Sequence, residues 1–208
     1  MVSKQKQMKN ILIFKTDRLG DLLNISPIIY NIKVNFPKCK ITLVCSNYNK
    51  LIAKYYENDL NILIYNKPLI IFLIKNYLNL NKNKFDLILQ LDGKNHSYIS
   101  SILINANTKA CIKYIKNKKF LNKLISVSRP NFLINKFFDI SEVSYENYNL
   151  NDNHKYHYLN LYLNLLKKLN LNLFSKDHYL PFNNPSNLSD FDESYLLFHI
   201  DEKWTMFE

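Results

Sequence analysis

At 208 residues, with 47% hydrophobic and 14% aromatic side chains, the chain is long enough for one large α/β domain, or one domain and the start of a second, and its composition excludes global disorder. The 28 Lys plus Arg outnumber 17 Asp plus Glu, and the formal charge of +11 favours anionic partners, although heavy use of Lys, Asn, Ile and Tyr is also what AT-rich codons produce. Cys39, Cys45 and Cys111 are odd in number and widely spaced, which argues against a disulfide framework or zinc site, and the apolar runs are too short for a signal-peptide core or a membrane span; the expected location is cytoplasmic.

Along the chain, apolar runs of strand length alternate with segments of helical period, the pattern of βαβ units around a parallel sheet. Residues 10–14 read as a buried first strand and 15–21 as a polar turn. Ile28, Ile29, Ile32 and Phe36 then recur at helical spacing, with Ser26 the expected N-cap and Pro27 in the first turn. Further strands are expected at 40–44, 61–65 and 85–91, with helices at 51–56, 68–80 and 97–104 and a short strand at 110–113.

The next segment, 114–153, holds Lys116, Lys118, Lys119 and Lys123, has weak periodicity, and is expected to be a long connection carrying short helices. Tyr158, Leu161, Leu165, Leu166 and Leu169 form an apolar stripe within a helix predicted over 154–169. A break at 181–187 precedes a strand at 195–200. The expected organisation is a Rossmann-like domain over 1–182, a linker over 183–194, and the opening of a second domain at 195–208.

In an open α/β sheet the ligand crevice lies beyond the carboxyl ends of the strands, which directs attention to the turn KTDRLGD with Lys15, Asp17, Arg18 and Asp21. Gly20 and Gly93 are the only glycines, so neither the dinucleotide fingerprint nor a P-loop can be present. Gly20 is expected to supply a tight strand-to-helix turn.

The segment ILIFKTDRLGDLLNISPIIYNIKVNFPKCKITLV resembles the opening of family 9 glycosyltransferases, the heptosyltransferase family: a strand, a K/R-x-D-R-hydrophobic-G-D turn, and a helix with a following Pro. FDLILQLDGKNHS is similar to a later strand and turn of that family, HKYHYLNLYLNLLKKLNL to its H-x-x-x-x-Y-L helix, and YLLFHIDEKW to the strand that starts its second domain. The resemblance implies the N-terminal, acceptor-side domain of a GT-B enzyme. Such an enzyme moves heptose or a related sugar, with inversion and without a metal, from a nucleotide-sugar such as ADP-heptose to a lipid-linked glycan of the lipopolysaccharide core or another surface glycan.

By the same resemblance Asp21 is the general base that takes the acceptor proton, and Lys203 contacts the donor phosphates. Lys15, Arg18, Gly20, Asp92 and Gly93 belong to the turns facing the cleft. The sequence departs from the family at Gln90 and Asp92, where the usual order is Asp and then His or Gln before the glycine. The donor binds mainly to the second domain in these enzymes, so residues 1–208 alone are expected to have no turnover. Peripheral contact with an anionic membrane is expected; nucleic acid is not.

Plainer readings stand beside these. Asp21 and Asp92 have the chemistry of helix-capping carboxylates, and Lys15 and Arg18 that of solvated turn residues. His154 and His157 have i, i+3 spacing but lack a completing ligand cluster, which argues against a metal. The lysines at 116–123 fit a solvated face, or one that touches acidic headgroups or substrate phosphates. A non-catalytic basic α/β module that binds nucleic acid or anionic membrane is the alternative from another class.

Overall fold

The computed structural model describes residues 7–56, 58–120, 123–145 and 158–176. Strand β1 (Asn10–Lys15) is apolar at nearly every position because both faces of the sheet are covered. Ile11 and Ile13 enter one core, Leu12 and Phe14 the other, as the two-residue period of a strand requires. Strands β2 (Lys40–Ser46), β3 (Asn61–Tyr65) and β4 (Phe85–Gln90) join β1 in parallel, in the order β3-β2-β1-β4.

On one side of the sheet lie α1 (Leu19–Leu23), α2 (Ser26–Asn35), α3 (Lys50–Lys54) and α7 (Tyr158–Lys168). Leu22, Ile28 and Ile32 pack there with Leu161, Leu165 and Leu166. On the other side, α4 (Leu69–Lys82) contributes Phe72 and Leu80, and α5 (Asn95–Leu103) contributes Tyr98. The strands expected from sequence within the described residues are present, and so is the α/β architecture of a parallel-dominated sheet between two helical layers.

Two expectations are corrected. The N-cap of α2 is Ile25, and Ser26 is the first helical residue. Pro27 has no N–H to give a continuous helix, so the chain breaks at Asn24 and Ile25 and restarts with the proline in its first turn.

The described residues of 114–153 also form more than a long connection with short helices. The strand expected at 110–113 is part of β5 (Ala106–Phe120), 15 residues long; it is followed by β6 (Lys123–Arg129), α6 (Phe132–Asn135) and β7 (Ile140–Tyr145). β5 pairs with β4 in parallel as far as Gln90↔Cys111, and with β7 from Ala110↔Ile140 to Ile115↔Tyr145. It then continues past the end of β4 and pairs antiparallel with β6, from Tyr114↔Arg129 to Phe120↔Lys123. An antiparallel ladder is built from backbone hydrogen bonds and leaves little mark on an apolar pattern, which is why a Lys-rich segment concealed it.

Strand order reverses direction between β1 and β4, since β2 and β3 build outward on one side of β1 and β4 and β5 on the other. A crevice opens at the carboxyl ends of strands at such a switch point. The turns that meet there are 16–18, after β1, and 91–94, after β4. The predicted linker, the strand at 195–200, His154, His157 and Lys203 lie outside the described residues.

Candidate active site

The two turns are fastened together by Asp92, which is fully buried. Its Oδ2 accepts hydrogen bonds from the Thr16 N–H at 2.7 Å, the Thr16 hydroxyl at 2.8 Å and the Ser97 hydroxyl at 2.9 Å. Its Oδ1 accepts from the Lys94 N–H at 2.9 Å and from Gln90 Nε2 at 3.0 Å. Asp92 is thus enclosed, with both oxygens engaged inside the fold, and it shapes the site from beneath.

The same knot includes His96, whose ring stacks on Tyr65 with centroids 4.0 Å apart and whose Nε2 lies 2.8 Å from Thr16 Oγ1. Burial lowers the His96 pKa, only partly opposed by Asp92, so the ring is neutral near pH 7. Because the Thr16 hydroxyl spends its proton on Asp92, the consistent arrangement has His96 Nε2–H donating to Thr16.

Lys15, last residue of β1, is 1% exposed. Its ammonium donates to Asp17 Oδ2 at 2.8 Å, to the Tyr162 hydroxyl at 2.8 Å and to the Leu91 carbonyl at 3.2 Å, which uses all three protons. Burial works against the charge, but Asp17, with smaller help from Tyr114 and Asp21, outweighs it and holds the Lys15 pKa above its ordinary value. Lys15 is thus a buried ammonium in the cleft floor rather than a solvated turn residue. Tyr114 and Tyr162 also donate to the Leu91 carbonyl, at 3.1 and 3.4 Å, so β5 and α7 are tied to the same point.

Above this floor is a cavity of about 200 Å³ lined by Lys15, Asp17, Arg18, Asp21, Gly93, Lys94, Tyr114 and Arg129. Burial pushes the Asp17 carboxyl up to about 6 against the pull of Lys15, and Asp92 and Asp21 add to the rise. Asp17 Oδ1 is buried and has no hydrogen-bond partner among the described residues. Asp21 sits in the first turn of α1, where its Oδ2 accepts from the Arg18 N–H at 3.3 Å. Arg18, Lys94 and Arg129 form no ion pair with a described residue and bring positive charge to the same space.

Of the residues singled out in the sequence, Lys15, Asp17, Arg18, Asp21 and Gly93 line one cavity. Gly20 does not, and it needs no glycine-only backbone: it lies within α1 at negative φ, and an added Cβ would meet nothing within 4 Å. That corrects the tight-turn reading. At Gly93, by contrast, a Cβ would lie 3.3 Å from the Tyr114 ring.

Lys94, Tyr114 and Arg129 were not foreseen. Tyr114 and Arg129 face each other where the β5–β6 hairpin begins, and their signal in the sequence was only a long-range pairing. The Tyr98 hydroxyl holds that root, its single proton shared between the carbonyls of Ile112 at 2.7 Å and Arg129 at 3.1 Å.

The cysteines stand apart from this chemistry: burial pushes the Cys45 thiol up to about 11 and Cys111 up to about 12. Among the described residues, no group of three or more His, Cys, Asp or Glu is placed to hold a metal ion. Nor is any helix among them long and apolar enough to cross a membrane.

Comparison with solved structures finds a similar fold in a glycosyl transferase of family 9 from Veillonella parvula, with TM-score 0.57 and 16% identity over 84% of this chain and 44% of that one. The E. coli heptosyltransferase WaaC with ADP-2-deoxy-2-fluoro heptose matches with TM-score 0.56 and 14% identity, over 81% of this chain and 51% of that one. This is the fold of a family 9 glycosyltransferase. The same enzyme with ADP gives 0.53 and 13%, over 81% and 50%. The chain spans about half the length of these family 9 structures. No family model and no curated protein matches it by sequence.

Proposed function

We propose that this chain forms the acceptor-binding half of an inverting glycosyltransferase that moves heptose or a related sugar from a nucleotide-sugar to an anionic, lipid-linked glycan. The observation that carries the reading is the grouping of Asp21 with Arg18, Lys94 and Arg129 around one cavity at the switch point of a family 9 fold. In the proposed reaction an acceptor hydroxyl attacks the anomeric carbon of the donor sugar while the bond from that carbon to the nucleotide's terminal phosphate oxygen breaks. The hydroxyl proton passes to Asp21. One displacement inverts the configuration, and the electron pair of the broken bond leaves on the phosphate.

The chemistry asks for an ionised carboxylate at the acceptor hydroxyl and for cations that hold the acceptor's phosphates or carboxylates. Asp21 fits the first role because it sits at the cavity wall, held by one backbone N–H. Arg18, Lys94 and Arg129 fit the second because their charge is not consumed by carboxylates of the described fold. The resemblance assigns most donor contacts to a second domain, with Lys203 among them, so the 208 residues alone are proposed to bind acceptor without turning over.

The test is sugar transfer from ADP-heptose to a lipopolysaccharide-core acceptor, with a family 9 nucleotide-binding domain joined to this chain, comparing Asp21 with Asp21→Asn. A loss of about a hundredfold to ten-thousandfold in turnover, with acceptor binding retained, is expected. Equal turnover by the two proteins would refute the assignment, and robust turnover by the 208-residue chain alone would refute the division of labour. Steeply salt-dependent binding to nucleic acid, with no transfer, would favour the non-catalytic basic module instead.

A further inference from the structure

Helix α4 is apolar on two sides. Phe72 and Leu80 face the core, while Ile70, Ile74 and Leu78 are 67%, 74% and 69% exposed. The exposed three recur at i, i+4 and i+8 and form a stripe along one side of the helix, which Ile71 and Tyr77 widen to an arc of roughly 120° at about 100° per residue. A stripe this continuous on a 14-residue surface helix marks a contact face.

Charge identifies its occupant. Between Asp59 and Asp86 the sequence contains Lys67, Lys75, Lys82 and Lys84 and no carboxylate. All four lysines are exposed, and Lys75 and Lys82 project at one margin of the apolar arc. A second copy of a chain carrying +11 would bring like charges together on this face. Nucleic acid would use the lysines and leave the isoleucines without purpose. An anionic lipid surface uses both, because the acyl boundary accepts the apolar stripe while the headgroups meet the ammonium groups.

The fold places this face consistently. α4 follows β3, whose last residue, Tyr65, stacks on His96 in the Asp92 knot, so the helix begins at the cleft end of the sheet. Exposed Phe132, Leu133 and Phe137 lie in and beside α6, which packs on α5 on the same side of the sheet as α4.

We propose that the exposed face of α4 docks this protein on anionic membrane by laying Ile70, Ile74 and Leu78 into the headgroup boundary, with Lys67, Lys75, Lys82 and Lys84 on acidic headgroups. The docking does not depend on the transferase reading, since none of these residues lines the cavity.

Flotation of the 208-residue chain with phosphatidylcholine vesicles, with and without phosphatidylglycerol, is the experiment. Binding to the phosphatidylglycerol vesicles, weakened by salt, is expected. It should fall about tenfold or more in a triple Ile70→Ser, Ile74→Ser, Leu78→Ser variant and comparably when the four lysines become glutamine. Thermal melts verify that the variants fold; a single Ile74→Glu change provides a milder variant whose binding must also weaken. Absence of binding to anionic vesicles, equal binding by the triple variant and wild type, or a stable dimer whose interface is α4 would each overturn the proposal. Soluble-acceptor transfer should be unchanged in the α4 variants, which separates this result from a failure of the transferase assignment.

Discussion

The Lys15 ammonium and the Tyr162 hydroxyl lie 2.8 Å apart although 147 residues separate them in the chain, and this contact fastens α7 to the end of β1 beneath the cleft. Tyr162 is 1% exposed and Lys15 equally so, so water cannot replace either partner. Tyr162→Phe should therefore cost about 1–3 kcal/mol, the penalty for an unpaired buried donor. Lys15→Met strands the Asp17 carboxylate and should cost about 3–5 kcal/mol near neutral pH. Urea unfolding of the two variants measures both. Equal stability of Lys15→Met and wild type would mean that Asp17 finds another partner.

Asp17 should titrate with a midpoint near 6, observable as the carboxyl-carbon shift in NMR. Its folded pKa lies above the ordinary aspartate value of 3.8, so the native state holds the proton more tightly than the unfolded chain. The resulting stabilisation is fully present below pH 3.8 and is lost as pH rises through about 6. Asp17→Asn should remove that component from the pH dependence of unfolding. A midpoint at the ordinary carboxylate value would show that Lys15 outweighs burial.

The sequence exposed the parts of this fold that are local. β3 occupies the five residues its apolar run indicated, and the strand after residue 84 was legible because a strand covered on both faces is apolar throughout. Asp21 and Arg18 were visible as charges in a turn after such a strand. Lys15 was visible too, but its burial was not, because the partner that makes burial tolerable comes from α7.

Asparagines were harder still. In a chain rich in them Asn31 looks like compositional bias, yet it is fully buried in α2, donates to the carbonyls of Pro27 and Ser175 and accepts from the Phe174 N–H. Asn35 makes the parallel clamp with Asn172. Such side-chain bridges between distant segments have no period, so no pattern reports them.

Asp92→Ala should be among the most damaging single substitutions in the described fold. It would leave the Thr16 and Lys94 N–H groups, two hydroxyls and the Gln90 amide without their shared acceptor. A loss of about 3 kcal/mol or more is expected in urea unfolding, with amide exchange accelerated first at Thr16 and Lys94. Asp21→Asn, by contrast, keeps an acceptor for the Arg18 N–H and should move stability by less than about 1 kcal/mol. A ranking in which Asp21 matters more to folding than Asp92 would contradict the division between a cavity wall and its foundation.

The two glycines should respond to alanine with opposite signs. Gly20 lies in α1 at negative φ, and a Cβ there meets no atom within 4 Å, so Gly20→Ala gains helix propensity at no steric cost. It should stabilise the fold by about 0.5–1 kcal/mol. At Gly93 the new Cβ would stand 3.3 Å from the Tyr114 ring, whose hydroxyl is held by the Leu91 carbonyl, so the ring cannot retreat without loosening that bond. Gly93→Ala should lower stability and narrow the cavity that Gly93 and Tyr114 both line. Thermal melts of the pair, read side by side, check the signs, and destabilisation by Gly20→Ala would show that α1 needs its glycine for a reason beyond backbone geometry.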